Sequence, residues 1–199
     1  MKKLGILLSG RGSNFEAIAD SVASGQVEAE IGVVISNRPE ARGIEVARSR
    51  GLPAVVISSK GVPREDYDRQ LVAELQSRRI DLICLAGFMR LLTREFCGAF
   101  PLRVLNIHPS LLPAFPGLDA QQQALEHGVK ISGCTVHFVD HQLDAGPIIL
   151  QAAVPVLDTD TEETLAARIL TEEHRIYSEA IRIVLSGRWR IEGRRVILS

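Results

Sequence analysis

Long apolar segments and long runs of one charge sign are both missing from this 199-residue sequence. The apolar run Leu4–Leu8 is too short for the core of a signal peptide and far too short to span a bilayer, so we expect no export and no membrane partner. With 23 basic against 24 acidic residues, the sequence also indicates no nucleic-acid partner. Any anion-binding site must therefore be local.

Motifs of paired cysteines are lacking as well. The three cysteines, Cys84, Cys97 and Cys134, are odd in number, widely spaced and embedded in apolar segments, and no C-x-x-C motif occurs. This pattern favours reduced thiols in a cytoplasmic protein. Because 46% of the residues are hydrophobic, the chain can bury a full core, and we predict a single domain over residues 1–199.

The segment Ser9–Asn14 contains two glycines between a predicted strand and a predicted helix, but it matches no complete nucleotide fingerprint. It lacks the Gly-Lys-Ser/Thr of a Walker loop, and Phe15 stands where a dinucleotide loop has its third glycine. Backbone N–H groups of Gly12, Ser13 and Asn14 at a helix N-terminus favour a monophosphate site. The alternative is a tight turn in which Ser13 or Asn14 caps the helix.

Apolar runs alternate with amphipathic stretches through the first half of the chain. This alternation predicts an α/β fold with a twisted, mainly parallel central sheet, helices on both faces and a Rossmann-like N-terminal half. The predicted strands cover residues 4–8, 31–35, 54–57, 80–86 and 104–107, and the predicted helices cover residues 15–22, 39–50, 64–79 and 94–100.

The second half has a different pattern. A helix is predicted at 120–126, two strands at 132–139 and 147–154, and a hairpin around Glu192–Gly193. The longest element is a C-terminal helix, with apolar residues from Leu165 to Leu185 and a predicted capping box at Asp160 and Glu163.

Two polar residues end the strand that precedes the proline-rich loop 109–117. Asn106 and His108 stand two apart and therefore project from one face of the strand, and Pro109 ends it. Ligands of open α/β sheets bind at such carboxyl ends. An amide donor beside a histidine suits a reaction that develops an oxyanion and moves a proton. The alternative is a turn-capping Asn beside a hydrogen-bonded His.

Other polar residues allow both structural and functional interpretations. Asp144 lies in a turn with Gly and Pro, where its carboxylate could orient His108 and favour its protonated form. His137 and His141 could be imagined as zinc ligands with His108, but their spacing lacks the shared helical face of an H-x-x-x-H site. Glu173 lies in the apolar stripe of the last helix, so it needs either a structural salt bridge or a ligand.

Four motifs together resemble the folate-dependent formyltransferase family, and within it the glycinamide ribonucleotide formyltransferases. They are Ser-Gly-Arg-Gly-Ser-Asn at 9–14, Leu-Ala-Gly-Phe-Met-Arg at 85–90, Asn-Ile-His-Pro-Ser-Leu-Leu-Pro at 106–113 and Leu-Asp-Ala-Gly-Pro at 143–147. The resemblance covers nearly the whole chain. In the loop after the Asn-His motif, where members can carry basic or histidine residues, this chain has Ala114, Asp119 and Gln121.

The resemblance implies a role for each matching position. Asn106, His108 and Asp144 would be catalytic. Gly12, Ser13, Asn14 and Glu173 would bind the nucleotide substrate. The folate would be held by Arg64, Met89, Arg90, Leu91, Leu92, Asn106, Asp140, His141, Gln142, Leu143 and Asp144. Residues 1–100 would form the nucleotide and phosphate half, and residues 101–199 the catalytic and folate half.

The implied activity is transfer of a formyl group from 10-formyltetrahydrofolate, a co-substrate, to the amine of glycinamide ribonucleotide in purine biosynthesis, without a metal. The implied partners are these small molecules, and the protein would be a monomer or homodimer. We expect neither the extra domain of methionyl-tRNA formyltransferase nor that of formyltetrahydrofolate deformylase. The alternatives are a 10-formyltetrahydrofolate hydrolase with the same three residues, a noncatalytic nucleotide-binding module and a metal-dependent hydrolase.

Overall fold

Buried strands alternate with helices through the first 106 residues of the computed structural model, which describes residues 1–199. Contacts divide the chain into two compact units, residues 1–106 and 107–199. The elements of the first unit are β1 (Lys2–Leu8), α1 (Ser13–Ala23), β2 (Ala29–Ser36), α2 (Arg42–Ser49), β3 (Ala54–Val56), α3 (Arg64–Ser77), β4 (Leu82–Leu85), α4 (Arg94–Ala99) and most of β5 (Val104–His108).

All strand pairs of the first unit are parallel. Strand β1 pairs with β2 and β4, β2 pairs with β3, and β4 pairs with β5, which makes the order β3-β2-β1-β4-β5. Leu4, Ile6 and Leu7 of β1 are completely buried, because a central parallel strand is covered on both faces. The carboxyl ends of β1 and β4 lie at one edge of this sheet, where Ser9–Asn14 and Ala86–Arg90 follow them.

The helices of this unit present apolar stripes to the sheet. On α3, Tyr67, Leu71 and Leu75 are completely buried, and each contributes roughly 1.5–3 kcal/mol of apolar burial. Helix α4 begins after an N-cap, Thr93, whose hydroxyl accepts a hydrogen bond from the Phe96 amide at 3.1 Å. Asp68 accepts the Thr93 amide at 2.7 Å and thereby holds this cap on α3.

The second unit contains the end of β5, α5 (Ala120–Glu126), β6 (Ile131–Phe138), β7 (Ile148–Pro155), α6 (Glu162–Ser186), β8 (Trp189–Glu192) and β9 (Arg195–Leu198). Strands β6 and β7 are antiparallel, β9 pairs in parallel with β7, and β8 and β9 form the predicted C-terminal hairpin. Helix α6 has 25 residues and ends at Gly187 in the left-handed conformation. None of the six helices has the length and apolar character needed to cross a bilayer.

The predicted α/β class, with a mainly parallel sheet and a long C-terminal helix, is confirmed. Two local predictions are wrong. Helix α2 begins at Arg42 rather than Pro39, because residues 39–41 form a turn and Ala41 is extended. The capping box of α6 joins Thr161 to Thr164 instead of Asp160 to Glu163, since the Asp160 carboxylate is held by Arg168 at 2.7 Å.

Candidate active site

The end of strand β5 carries the two polar residues identified in the sequence. His108 is its last residue and only 5% exposed, while Asn106 is half-buried two positions earlier. Pro109 ends the strand, as expected, because it lacks the N–H that would continue the ladder. Because side chains alternate between the two faces of a strand, the amide of Asn106 and the imidazole of His108 lie on the same face at its carboxyl end.

Both ring nitrogens of His108 face acceptors within the second unit. Nδ1 lies 3.4 Å from Oδ2 of Asp144, and Nε2 lies 2.8 Å from the carbonyl oxygen of Phe115. The Ser110 hydroxyl, completely buried, also donates to that carbonyl at 3.3 Å. The two contacts, one at each ring nitrogen, fix the orientation of the imidazole ring.

Asp144 is held by a backbone amide of the loop 109–117 and by the conformation of its own loop. Its carboxylate is 9% exposed and accepts the Gly117 amide at 2.9 Å. The residue itself has φ of 48°, a left-handed conformation that is uncommon outside glycine. Two residues later, a Cβ at Gly146 would overlap the carbonyl oxygen of Phe138, so only glycine fits there. The backbone therefore aims the Asp144 carboxylate at His108.

A second histidine, His137, faces the other oxygen of the same carboxylate. Its Nε2 lies 3.7 Å from Oδ1 of Asp144, and its Nδ1 lies 2.9 Å from the Phe138 carbonyl. Burial lowers the pKa of His137, although the Phe138 carbonyl and Asp144 act in the opposite direction. No group of three or more His, Cys, Asp or Glu side chains is arranged to hold a metal ion. His141 is exposed in the loop.

A buried anchor holds the loop that follows His108. The Thr135 hydroxyl of β6 donates to the Ser110 carbonyl at 2.7 Å and accepts the Leu112 amide at 3.0 Å. Gln151 donates to both the Thr135 hydroxyl and the Leu112 carbonyl at 2.9 Å. Sequence reasoning missed this anchor. Polar residues inside two apolar strands were the available signal, but their partners lie 16 to 39 positions apart.

The glycine loop lies in the first unit and lines a cleft of about 330 Å³, at the lower end for small-molecule sites. Gly12 is the N-cap of α1 with φ of 80° and forms no side-chain cap, so neither Ser13 nor Asn14 occupies the cap position, as the alternative interpretation of this segment required. A Cβ at Gly12 would also lie 3.1 Å from Cα of Gly43. The cleft is lined by Ser9, Gly10, Arg11, Gly12, Ser13, Asn14, Arg38, Ala86, Gly87 and Met89.

Sequence reasoning also missed a network of hydrogen bonds beneath this cleft. The Ser9 hydroxyl donates to Asn37 at 2.6 Å and accepts the Met89 amide at 2.8 Å, and Asn37 donates to the Ser59 hydroxyl at 3.2 Å. Ser9 and Asn37 are 3% and 5% exposed. This network holds the Met89 backbone against the glycine loop. Asn37 gave no sequence signal because its partner is 28 residues away.

The residues expected to hold folate in the first unit differ in exposure. The side chains of Met89 and Leu91 are 62% and 54% exposed, whereas Leu92 is 9% exposed. The Arg90 guanidinium lies over the Tyr67 ring at 4.6 Å. Arg64 is exposed at the start of α3. Met89 and Leu91 thus leave apolar side chains open to a ligand.

The remaining folate candidates form the loop between β6 and β7. Asp140 is half-buried and accepts the Gln142 amide at 2.8 Å, which shapes the turn. His141, Gln142 and Leu143 are exposed, and Leu143 is 52% exposed. The hydrogen bond between Asp140 and the Gln142 amide therefore orders the loop backbone, while the three exposed side chains remain accessible to a ligand.

Glu173 is buried on α6, as its place in the apolar stripe predicts, with 7% exposure.

Burial, together with the nearby carboxylates of Glu173 and Glu172, raises the pKa of Cys134 to about 12. Cys134 is therefore an inert neutral thiol at neutral pH. All three cysteines are free, as predicted.

These features define a class of α/β protein that has a glycine loop after its first strand and a buried histidine–carboxylate pair beyond a later strand. The family model described as formyl transferase matches residues 2–181, and the chain belongs to this family. It is 45% identical to phosphoribosylglycinamide formyltransferase of Escherichia coli (strain K12), an alignment that covers 92% of this chain and 87% of that protein.

Two further relatives extend this comparison. A crystal structure of glycinamide ribonucleotide transformylase 1 from Symbiobacterium toebii is 55% identical, covers all of this chain and 94% of that chain, and has a TM-score of 0.97. The trifunctional purine biosynthetic protein adenosine-3 of Drosophila pseudoobscura pseudoobscura is 49% identical over 94% of this chain. The chain spans only 14% of the length of that relative.

Proposed function

We propose that this protein transfers the formyl group of 10-formyltetrahydrofolate to the primary amine of glycinamide ribonucleotide, a step of purine biosynthesis. The products are formylglycinamide ribonucleotide and tetrahydrofolate. The observation that carries the proposal is the buried pair of His108 and Asp144, with His108 two residues after Asn106 at the end of β5, in a chain that belongs to the formyl transferase family. The names of its Escherichia coli and Symbiobacterium toebii relatives support the choice of acceptor.

The reaction begins when the neutral amine attacks the formyl carbon, and a tetrahedral intermediate carries the former carbonyl oxygen as an oxyanion. Asn106 and protonated His108 stabilise that oxyanion by donating hydrogen bonds. The intermediate collapses by breaking the bond to the folate nitrogen. That nitrogen gains a proton and the attacking amine loses one, and His108 takes part in these transfers.

Asp144 orients His108 in this mechanism. Because Nδ1 faces the carboxylate at 3.4 Å, Nε2 is the nitrogen left for the substrate. Nε2 meets the Phe115 carbonyl at 2.8 Å in this structure. We expect the formyl oxygen to replace that carbonyl as the acceptor, so the Phe115 peptide must shift when substrate binds.

The nucleotide phosphate is assigned to the glycine loop of the first unit. Gly12, Ser13 and Asn14 line its cleft at the N-terminus of α1, where backbone N–H groups favour an anion. Arg11 and Arg38 also line this cleft and would add positive charge. For the ribose hydroxyls, we assign the buried carboxylate of Glu173 as the acceptor.

Folate is assigned to Met89–Leu92 and to Asp140–Asp144, with Arg64 facing its acidic tail. The exposed side chains of Met89 and Leu91 suit a flat heterocycle, and the backbone of both segments offers hydrogen-bonding groups. The reaction as written uses no metal. We further propose a cytoplasmic location, supported by the three free cysteines. A monomer or homodimer remains the prediction for its assembly.

The test is an absorbance assay of folate product with and without glycinamide ribonucleotide. Turnover that requires the amine supports the transferase, turnover without it supports a hydrolase, and no turnover favours a binding module.

Asp144→Asn should lower kcat by about 100-fold or more with smaller changes in KM, because it removes charge while preserving shape. Wild-type kcat in this variant would remove Asp144 from the catalytic residues. Chelator sensitivity would favour the metal-dependent alternative.

A further inference from the structure

We propose that the C-terminal hairpin β8–β9 positions the Asp144 carboxylate, with Arg194 as the positioning residue. The hairpin, Trp189–Leu198, lies outside residues 2–181 that match the family, so family membership assigns it no role. The inference rests on the proposed function of Asp144. It concerns the loop 139–147, which connects β6 to β7 and carries that residue.

The hairpin contacts both ends of this loop. At its start, the ring of Phe138, the last residue of β6, packs against Trp189 with centroids 5.0 Å apart. At its end, Ile148, the first residue of β7, pairs in parallel with Arg195. The indole N–H of Trp189 donates to the Val184 carbonyl at 3.0 Å and so fastens the hairpin to α6.

Between these two contacts, Arg194 reaches the loop itself. Its guanidinium donates to the carbonyl of Ala145 at 2.7 Å, one residue after Asp144. The bond is exposed to solvent, and its charged donor makes it stronger than a neutral donor would in the same place. Asp144 has a positive φ, a conformation that persists where its surroundings hold it, and the hydrogen bond to the Ala145–Gly146 peptide restrains the backbone on its C-terminal side.

The carboxylate position depends on that conformation. Oδ2 of Asp144 accepts the Gly117 amide at 2.9 Å and faces His108, while Oδ1 faces His137. Without this restraint, the loop backbone around Ala145 could move and carry Asp144 with it, which would draw the carboxylate away from these partners. Arg194 therefore acts on His108 through Asp144 without touching the reacting atoms.

The test compares three variants of the full chain. Arg194→Ala removes the donor, Arg194→Lys retains a cationic donor, and Arg190→Ala is the matched control, because Arg190 pairs with Glu192 inside the same hairpin. We expect Arg194→Ala to lower kcat about tenfold with KM for both substrates within about twofold, Arg194→Lys to recover part of the loss, and the control to match the parent. Fluorescence of Trp189, the one tryptophan of the chain, should show the hairpin still docked.

Two measurements separate positioning from general stability. In an Asp144→Asn background, Arg194→Ala should cost less than about twofold, because its effect passes through the carboxylate. Hydrogen exchange of the Gly117 amide should become about tenfold faster in Arg194→Ala and stay unchanged in the control, whatever the activity. Equal costs in both backgrounds, or an unchanged Gly117 amide, would overturn the proposal. Absence of formyl transfer by the parent protein would refute the proposed function instead.

Discussion

The Thr135 anchor allows a sharp test of how the loop after His108 is held. Thr135→Val replaces one hydroxyl by a methyl group of similar size at a completely buried position. The change removes the donor to the Ser110 carbonyl and the acceptor of the Leu112 amide. It also removes one acceptor of Gln151, which keeps its bond to the Leu112 carbonyl.

The expected cost follows from the groups left without partners. A buried polar group without a hydrogen bond costs about 1–3 kcal/mol, and two such groups remain, at Ser110 and Leu112. The added methyl group returns roughly 0.8 kcal/mol of apolar burial. We therefore expect Thr135→Val to lower the free energy of unfolding by about 1–5 kcal/mol, a large part of the 5–15 kcal/mol that is typical of domains.

Urea unfolding followed by Trp189 fluorescence measures this free energy. Thr135→Ser keeps the hydroxyl and should lose only about 1 kcal/mol, and Thr171→Val on the exposed surface of α6 should change it by less than about 0.5 kcal/mol. At temperatures where Thr135→Val remains folded, kcat should also fall, because the loop carries the Gly117 amide that holds the Asp144 carboxylate. An unfolding free energy within about 0.5 kcal/mol of the parent would refute the anchor.

Four other variants or treatments test separate parts of the structure. Asn14→Ala should weaken nucleotide binding about tenfold and leave folate binding intact; normal nucleotide affinity with impaired folate binding would contradict the phosphate assignment. Glu173→Gln should cost nucleotide affinity more than melting temperature, and the opposite result would favour a structural role. Burial lowers the pKa of His137, so the unfolded chain takes up a proton that the folded protein does not, and stability falls as pH drops below about 6.5. His137→Gln should therefore lose less melting temperature than the parent between pH 7.5 and 5.5, and an equal loss would disprove this linkage. Cys134, with its pKa raised to about 12, should resist iodoacetamide in the native protein at pH 8 and react after unfolding; rapid native labelling would contradict its burial.

Patterns within short stretches of sequence determined the α/β class and the residues of the strand-end motif. Apolar runs such as Leu4–Leu8 specify buried strands because their partners on both faces need only be apolar. The spacing of Asn106 and His108 places both on one face through strand geometry alone. Site residues that lie close together in the sequence, such as Asn106 and His108, can therefore be recognised from the sequence alone.

Tertiary structure decided which distant groups meet. The approach of Asp144 to His108 spans 36 positions and depends on backbone conformations at Asp144 and Gly146 that local propensity does not specify. Hydrogen bonds of Thr135 and Arg194 likewise join segments whose separation leaves no periodic signal. Such contacts are selected by packing of the whole chain, because each polar group must find a partner once it is buried.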